Sequence, residues 1–305
     1  MAFEGVVEEK EPVTDKSTSK EVAGLPKSLE DDFPALVKLV GKEALTDPKQ
    51  RVIDRFSQGS RLIGLSDLHH ESGRVGREWS CQLISDLISQ NKINCLFIEL
   101  PTVIQRDLDL YLSGNITYEE FRSAATSHYE MAKSFFDNKA SVKGHDLNLG
   151  LANMLPVLEV CKGKVSVLCF DVREESNGKG DLAMWRHVVG TMEDQPQLIG
   201  AVYAGGEHIK RKVNSSYSLV NAGLDQMGYL GLDIQSGVFG ERLTMASAMI
   251  GNREPILLWT GDTFLHKMRE HKNDVLPIGE QYQGVVVFPN QALVSILEKD
   301  RVRTD

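Results

Sequence analysis

Short apolar runs that end in polar residues alternate with longer stretches of helical periodicity along most of the chain. Four runs have the length and content of buried strands: RLIGLS (61–66), INCLFIE (93–99), KVSVLCFD (164–171) and LIGAVYAGG (198–206). Between the first two, residues 76–91 place Trp79, Leu83 and Leu87 at helical spacing. This order of strand, helix and strand predicts a βαβ unit whose parallel strands are buried on both faces.

The same alternation continues on both sides of this unit. Helices are predicted over residues 29–45, 48–58, 118–138, 147–161 and 182–192, and further strands over residues 229–235, 255–261 and 284–290. Ser28 can cap the first helix, and Thr117 and Glu120 have the spacing of a capping box. We therefore predict an α/β fold with a mostly parallel central sheet and helices on both faces, forming a single domain over residues 29–300.

Residues 1–28 have a different composition from the rest of the chain. They are rich in Lys, Glu, Ser and Thr and poor in aromatic residues, which predicts a disordered leader. The leader lacks the basic start and apolar core of a signal peptide, and no apolar run approaches the ~20 residues of a membrane span. The leader is either a solvated tail or a segment read by a secretion machine. The expected location is therefore cytoplasmic, or inside a host cell after secretion.

Charge and cysteine content exclude several functions. The chain has 43 acidic and 34 basic residues, a net charge of −9, which argues against general binding of nucleic acid or anionic membranes. None of the four cysteines forms a CxxC pair, so we expect buried free thiols in a reducing compartment. Neither a P-loop nor a GxSxG nucleophile motif is present. A small-molecule or peptide substrate, or a host protein, is the expected partner.

Polar side chains suited to chemistry follow each of the four strands. They are Asp67, His69 and His70 after the first, Glu99 at the end of the second, Asp171 and Arg173 after the third, and Glu207 and His208 after the fourth. Because ligands bind outside the carboxyl ends of parallel strands, these groups are expected to converge on one site. Arg211, in the sequence KRK at 210–212, either belongs to a solvated face or places a cation beside the site for an anionic substrate.

These residue types permit two kinds of chemistry. Glu99 or a histidine can act as general base on water, with a second histidine as acid or oxyanion partner. Alternatively, His69, Glu99 and His208 can bind a divalent metal that activates water. Adjacent histidines in an extended segment point to opposite faces, so we favour His69 as the catalytic one. We assign the remaining strand-end residues to substrate binding: His70, Asp171, Arg173, Glu207 and Arg211.

The motifs resemble a superfamily that contains the erythromycin esterases, the ChaN-like haem-uptake proteins and the Tiki-type proteases. SDLHH is similar to its strand-end motif, with Asp67 as the acid and His69 as the histidine, and Glu99 follows 99 − 69 = 30 residues later. QRDLDLYLSGNITYEEF (105–121) is similar to the segment after this Glu in ChaN-like members. AVYAGGEHIK (201–210) resembles a late strand with a Gly-x-x-His element, which makes His208 the second family histidine.

The resemblance covers about residues 60–290 and implies an α/β fold with functional groups at the strand ends. There are departures from the family pattern. Ser66 stands where the family usually has Gly, and the erythromycin esterases space the acid and the histidine one residue wider. The chain also lacks the lipobox cysteine of ChaN-like lipoproteins. Related domains occur in bacterial toxins and type III effectors, which agrees with the unusual leader.

Two classes of function follow from the motifs and the resemblance. The first is a hydrolase of ester, lactone or amide bonds. In this hydrolase Glu99 or His69 activates water, His208 protonates the leaving group or holds the oxyanion, and Asp67 orients His69. The second is a non-enzymatic binder of haem or of a host protein, with Tyr203 and Tyr111 as candidate haem ligands. Either class is compatible with a bacterial effector that acts in a host cell.

Overall fold

A computed structural model describes residues 28, 31–67, 74–128, 140–142, 145–147, 151–172, 180–214, 217–218, 223–235, 241–269 and 276–289. The predicted leader lies outside these ranges apart from Ser28, so its disorder stays a prediction. Eleven strands occur in the described part: β1 (Leu62–Asp67), β2 (Cys95–Pro101), β3 (Ala140–Val142), β4 (His145–Leu147), β5 (Ser166–Asp171), β6 (Gly200–Gly205), β7 (Lys212–Asn214), β8 (Tyr217–Ser218), β9 (Tyr229–Gln235), β10 (Ile256–Trp259) and β11 (Gly284–Val287).

Seven of these strands form the central sheet, in the order β10-β11-β9-β1-β6-β2-β5. All neighbouring strands are parallel except β10, which runs antiparallel to β11. Strand β6 lies between β1 and β2, so the two strands of the predicted βαβ unit share a direction but are not hydrogen-bonded to each other. Two short antiparallel pairs, β3 with β4 and β7 with β8, stand outside the sheet.

Helices connect most of the strands. The α-helices are α1 (Phe33–Glu43), α2 (Pro48–Phe56), α3 (Arg74–Ser89), α4 (Gln105–Leu112), α5 (Tyr118–His128), α6 (Leu151–Cys161), α7 (Gly180–Asp194), α8 (Gly206–Ile209), α9 (Glu241–Met249) and α10 (Ile278–Gln281). Short 3-10 turns span Thr102–Ile104, Leu224–Met227, Thr260–Asp262 and Phe264–Lys267. In the described part of the chain, no helix has both the length and the apolar character needed to cross a membrane.

Two hydrophobic cores lie on opposite faces of the sheet. Alternate residues of each strand enter different cores: Leu96 and Ile98 of β2 belong to one, and Cys95 and Phe97 to the other. Helices α2 to α6 cover the first face, and helices α1, α7, α9 and α10 cover the second. The α/β class with a mostly parallel sheet and helices on both faces is therefore confirmed.

The start of the first helix was predicted wrongly. Asp32 is its N-cap, and a carboxylate oxygen of Asp32 accepts from the amide of Ala35 at 3.1 Å. Ser28 instead lies in an isolated bridge with Arg269, and its amide donates to Asp31. The helix begins at Phe33 because the proline that follows it is favourable in a first turn.

The capping box of α5 is confirmed, since Glu120 accepts from the Thr117 amide at 2.7 Å and Thr117 accepts from the Glu120 amide at 3.2 Å.

All four cysteines are buried free thiols, as expected. Burial raises the pKa of Cys95 and of Cys161 to about 12, and nearby thiols add to the effect. These thiols therefore stay protonated and act as small apolar core residues.

The free edge of the sheet at β5 is protected by one amide side chain. The Gln105 carbonyl oxygen accepts from the Cys169 amide at 2.6 Å, and its amide nitrogen donates to the Val167 carbonyl at 2.9 Å. The side chain of α4 thus supplies the two hydrogen bonds that a further strand would make. A second bond from the same nitrogen to Asp109, at 2.8 Å, holds the amide in this orientation.

We predict that Gln105→Ala lowers the free energy of unfolding by about 1–3 kcal/mol, because two partly buried backbone groups of β5 lose their partners. Denaturant unfolding measures this change. Gln50→Ala is the matched control, since Gln50 bonds Asp54 one turn along the exposed face of α2, and its loss should cost about 0.5 kcal/mol or less. Equal effects of the two substitutions would contradict the role of Gln105.

Candidate active site at the carboxyl ends of the strands

Polar residues occupy neighbouring positions on three strands at the carboxyl end of the sheet. The preceding row is apolar in all five strands and consists of Leu232, Leu65, Tyr203, Ile98 and Cys169. One residue further along, Asp233, Ser66 and Glu99 follow in β9, β1 and β2, with Ala204 of β6 between the last two. We call Asp233, Ser66 and Glu99 the polar row. All three are buried, so each needs a hydrogen-bonding partner within the protein.

Glu99 lies at an irregularity of β2. The register with β5 shifts between Ile98 and Pro101, so that two residues of β2 stand opposite one of β5. Such a bulge bends the strand and changes the direction of its side chains. The pairing of β2 with β6 also ends at Ile98. Glu99 is therefore the first residue of β2 beyond the regular hydrogen-bond ladder. Its carboxylate contacts groups at the end of the neighbouring strand β6.

Both carboxylate oxygens of Glu99 have partners from the end of β6. Oε2 accepts from the backbone amide of Gly205 at 2.8 Å, and Oε1 lies 3.2 Å from Nε2 of His208. Glu99 is only 4% exposed, and the His208 side chain is 16% exposed. The structure thus brings together two predicted catalytic residues that are separated by 208 − 99 = 109 positions in the sequence.

A second polar group lies on the other side of β1. Ser66 Oγ accepts from the Ile234 amide at 2.7 Å and lies 3.3 Å from a carboxylate oxygen of Asp233. The other oxygen of Asp233 accepts from the Gln235 side-chain amide at 2.8 Å. The sequence reasoning missed Asp233 and Gln235 as site residues. The signal was the polar residue inside the apolar strand YLGLDIQ, at the position equivalent to Ser66 in RLIGLS.

The first strand ends between these two polar groups. Asp67 is the last residue of β1, and its backbone pairs with Gly205, whose amide binds Glu99. His69 and His70 lie outside the described residues, and so does the side chain of Asp67. Their predicted roles stay predictions. The last residue of β1 nevertheless lies next to the strand end that binds Glu99.

Two of the predicted substrate residues, Asp171 and Glu207, lie at the carboxyl ends of β5 and β6. Asp171 is buried at the end of β5, where it pairs in register with Pro101 of the bulged strand. Burial raises the pKa of Cys169, and the charges of Asp109 and Asp171 add to this effect. Glu207 precedes His208 in α8, but its side chain lies outside the described set, as does Arg173.

Arg211 lies two residues beyond α8, at the point where the chain turns towards β7. Its backbone amide donates to the Gln281 carbonyl at 2.7 Å, which ties this part of the chain to α10. The Arg211 side chain is partly exposed. Its proposed contact with an anionic substrate stays a prediction.

The two tyrosines considered as haem ligands lie in the core. Tyr203 is fully buried in β6, and Tyr111 is 4% exposed and donates its hydroxyl proton to Glu159. Burial and the Glu159 carboxylate raise the pKa of Tyr111, so the hydroxyl stays protonated. Both rings pack in the first hydrophobic core, so both residues act as core residues.

Within the described ranges, no group of three or more His, Cys, Asp or Glu side chains is arranged to hold a metal ion. Glu99 and His208 supply two donors, and the third predicted ligand, His69, lies outside these ranges. A cavity of about 630 Å³ opens elsewhere, between α1 and the segments 266–268 and 277–280. None of the strand-end residues lines this cavity, so the candidate active site rests on the side-chain contacts described above.

Comparison with known proteins finds similar solved structures but no matching family. No protein-family model matches the sequence, and no curated protein matches it. Three solved structures are similar: a Bacillus cereus protein at 9% identity, an erythromycin esterase variant in an open conformation at 11% and a succinoglycan biosynthesis protein at 11%. Their TM-scores are 0.47, 0.46 and 0.47, in the same order. The matches cover 85%, 87% and 84% of this chain and 97% of each of the other chains. These values do not assign the chain to a family or to an activity.

The contact between Glu99 and His208 predicts a measurable titration effect. A carboxylate within 4 Å stabilises the charged imidazole, so Glu99→Gln should lower the pKa of His208. Gln keeps the acceptor for the Gly205 amide, which isolates the effect on the histidine. NMR titration of the histidine ring signals measures it, with His208→Gln used for assignment. The exposed His187 is the internal control, and an unchanged His208 midpoint in Glu99→Gln would rule out the contact.

Proposed function

We propose that this protein is a hydrolase whose Glu99–His208 pair transfers protons during cleavage of an ester, lactone or amide bond. The observation that supports the proposal is the 3.2 Å separation of Nε2 and Oε1 at the carboxyl end of the sheet. A carboxylate paired with an imidazole is suited to general acid–base catalysis, because the imidazole changes charge near neutral pH. Parallel sheets also bind ligands at this end.

The proposed roles are based on the burial and the contacts of the two side chains. Nδ1 of His208 is buried, and Nε2 lies 3.2 Å from Glu99, so we assign proton exchange with a substrate to Nε2. Glu99 is the less exposed member and is fixed from behind by the Gly205 amide. Accordingly, a water at the carboxyl end of the sheet loses its proton to Glu99, and His208 protonates the leaving group or stabilises the oxyanion.

The family resemblance adds two residues to this proposal. Asp67 would orient His69, and His69 would share the activation of water with Glu99. The backbone pairing of Asp67 with Gly205 supports this assignment, because it brings the end of β1 next to the atoms that hold Glu99. A set of His69, Glu99 and His208 would also offer imidazole and carboxylate donors to a divalent metal.

The hydrolase proposal predicts turnover of at least one member of a substrate panel of aryl esters, lactones and peptide amides. Glu99→Gln, His208→Gln and His69→Ala should each lower kcat/KM about 10²–10⁴-fold, which is the usual contribution of a general acid or base. Initial rates are measured after dialysis against a chelator and again after addition of Zn²⁺ or Mn²⁺. A metal-assisted reaction recovers only in the second condition.

Matched controls come from the exposed face of α7. His187→Gln and Glu193→Gln change the same residue types on the surface of α7 and should leave kcat/KM unchanged. Equal turnover by the wild type and all three site variants would assign the activity to another site or to a contaminant. It would refute the proposed roles of Glu99, His208 and His69.

A further inference from the structure

The turn that carries His208 is too short to hold itself in place. Helix α8 contains four residues, Gly206–Ile209, between the end of β6 and an extended Lys210. The last carbonyls of a helix have no partner within the helix, and in a helix of one turn these make up most of its carbonyls. The position of the imidazole therefore depends on groups outside the turn.

Aromatic side chains supply these partners. The indole nitrogen of Trp185 donates to the His208 carbonyl at 2.7 Å, and the hydroxyl of Tyr229 donates to the Ile209 carbonyl at 2.8 Å. A third, longer bond of 3.3 Å joins the Tyr282 hydroxyl to the Gly206 carbonyl. Trp185 and Tyr229 are buried and pack edge to face, with ring centroids 5.3 Å apart. The two shorter bonds thus come from one buried, edge-to-face aromatic pair.

Two glycines make room for Tyr229. Gly64 of β1 and Gly231 of β9 face each other in the sheet register. A Cβ atom on Gly64 would lie 2.0 Å from the Tyr229 hydroxyl oxygen, and one on Gly231 would lie 2.9 Å from the Tyr229 ring. Any side chain at Gly64 would therefore displace the hydroxyl from its path to the Ile209 carbonyl. The glycines inside RLIGLS and YLGLD are explained by this close approach.

The Tyr229 hydroxyl remains a donor over the whole range of working pH. Burial raises the pKa of Tyr229 well above its ordinary value, and the opposing charge of Arg211 does not reverse the effect. The turn that carries His208 is thus held by donors that keep their protons.

We propose that Trp185 and Tyr229 are positioning residues, which hold the α8 turn so that Nε2 of His208 stays in contact with Glu99. The inference deepens the proposed function, since it explains how the same proton-transfer pair is kept aligned. Neither aromatic residue needs to touch a substrate, because each acts through a backbone carbonyl of the turn.

Tyr229→Phe and Trp185→Phe test the proposal, because each removes one donor and keeps an aromatic ring. In both variants the NMR titration midpoint of His208 should move towards its value in Glu99→Gln. With any substrate that the wild type turns over, kcat should fall roughly tenfold, the equivalent of one hydrogen bond of about 1.4 kcal/mol. The pH profile of kcat should shift with the midpoint, which a merely destabilised core would not produce.

Matched controls remove the same groups elsewhere in the protein. Tyr118→Phe deletes a hydroxyl on α5, and Trp79→Phe deletes a buried indole N–H that bonds no group in the described part of the chain. Both controls should leave the His208 midpoint at its wild-type value. Gly64→Ala should reproduce the effect of Tyr229→Phe if the variant folds, and the two Phe variants decide the question if it does not.

The outcomes separate this inference from the proposed function. A shifted His208 midpoint in both Phe variants, without hydrolysis by the wild type, would support the positioning role and overturn the hydrolase. Hydrolysis by the wild type with an unmoved His208 midpoint in both variants would support the hydrolase and overturn the positioning role.

Discussion

A buried carboxylate sets the main constraint on this structure. Removing Glu99 from water carries a large free-energy cost unless both of its oxygens find partners. The Gly205 amide and the His208 imidazole provide them, and both come from the end of one strand. Three local features accompany this arrangement: the bulge in β2, the glycines after Ala204 and the short turn that follows them. Together they bring a backbone amide and a ring nitrogen to the same carboxylate.

The polar row extends the same principle across the sheet. Ser66 occupies the place where the ladder between β1 and β9 ends, and its hydroxyl takes over the next hydrogen bond by accepting from the Ile234 amide. Asp233 is held by Ser66 and by Gln235, so a second buried acid lies on the opposite side of β1 from Glu99. Strand β1 therefore ends between two preorganised polar groups. Such preorganisation is expected of a catalytic site and has little value for packing alone.

Much of this arrangement could be predicted from the chain. Apolar runs that end in an acid or a histidine predicted β1, β2, β5 and β6, and the rule for parallel sheets placed Glu99 and His208 at the same end. Strand order was less accessible, because the pattern does not reveal that β6 lies between β1 and β2. The alternation of strand and helix also predicted helices on both faces, since parallel strands need crossover connections.

Other parts of the site could not be recognised from residue types. Trp185 and Tyr229 have the sequence pattern of ordinary core residues, and only their contacts reveal that they bond the carbonyls of the His208 turn. Asp233 and Ser66 become partners through the register of β9 and β1, which depends on long-range pairing. Gln105 likewise appeared only as part of a helix motif, although its amide protects the edge of the sheet.

A double-mutant cycle tests whether Glu99 and His208 interact directly. Free energies of unfolding are measured at pH 6 for the wild type, Glu99→Gln, His208→Gln and the double variant. A direct charged contact predicts that the two changes are non-additive, with a coupling energy of about 1 kcal/mol or more. A coupling energy within about 0.3 kcal/mol of zero would show that the two residues act independently and that the Glu99–His208 contact does not form in solution.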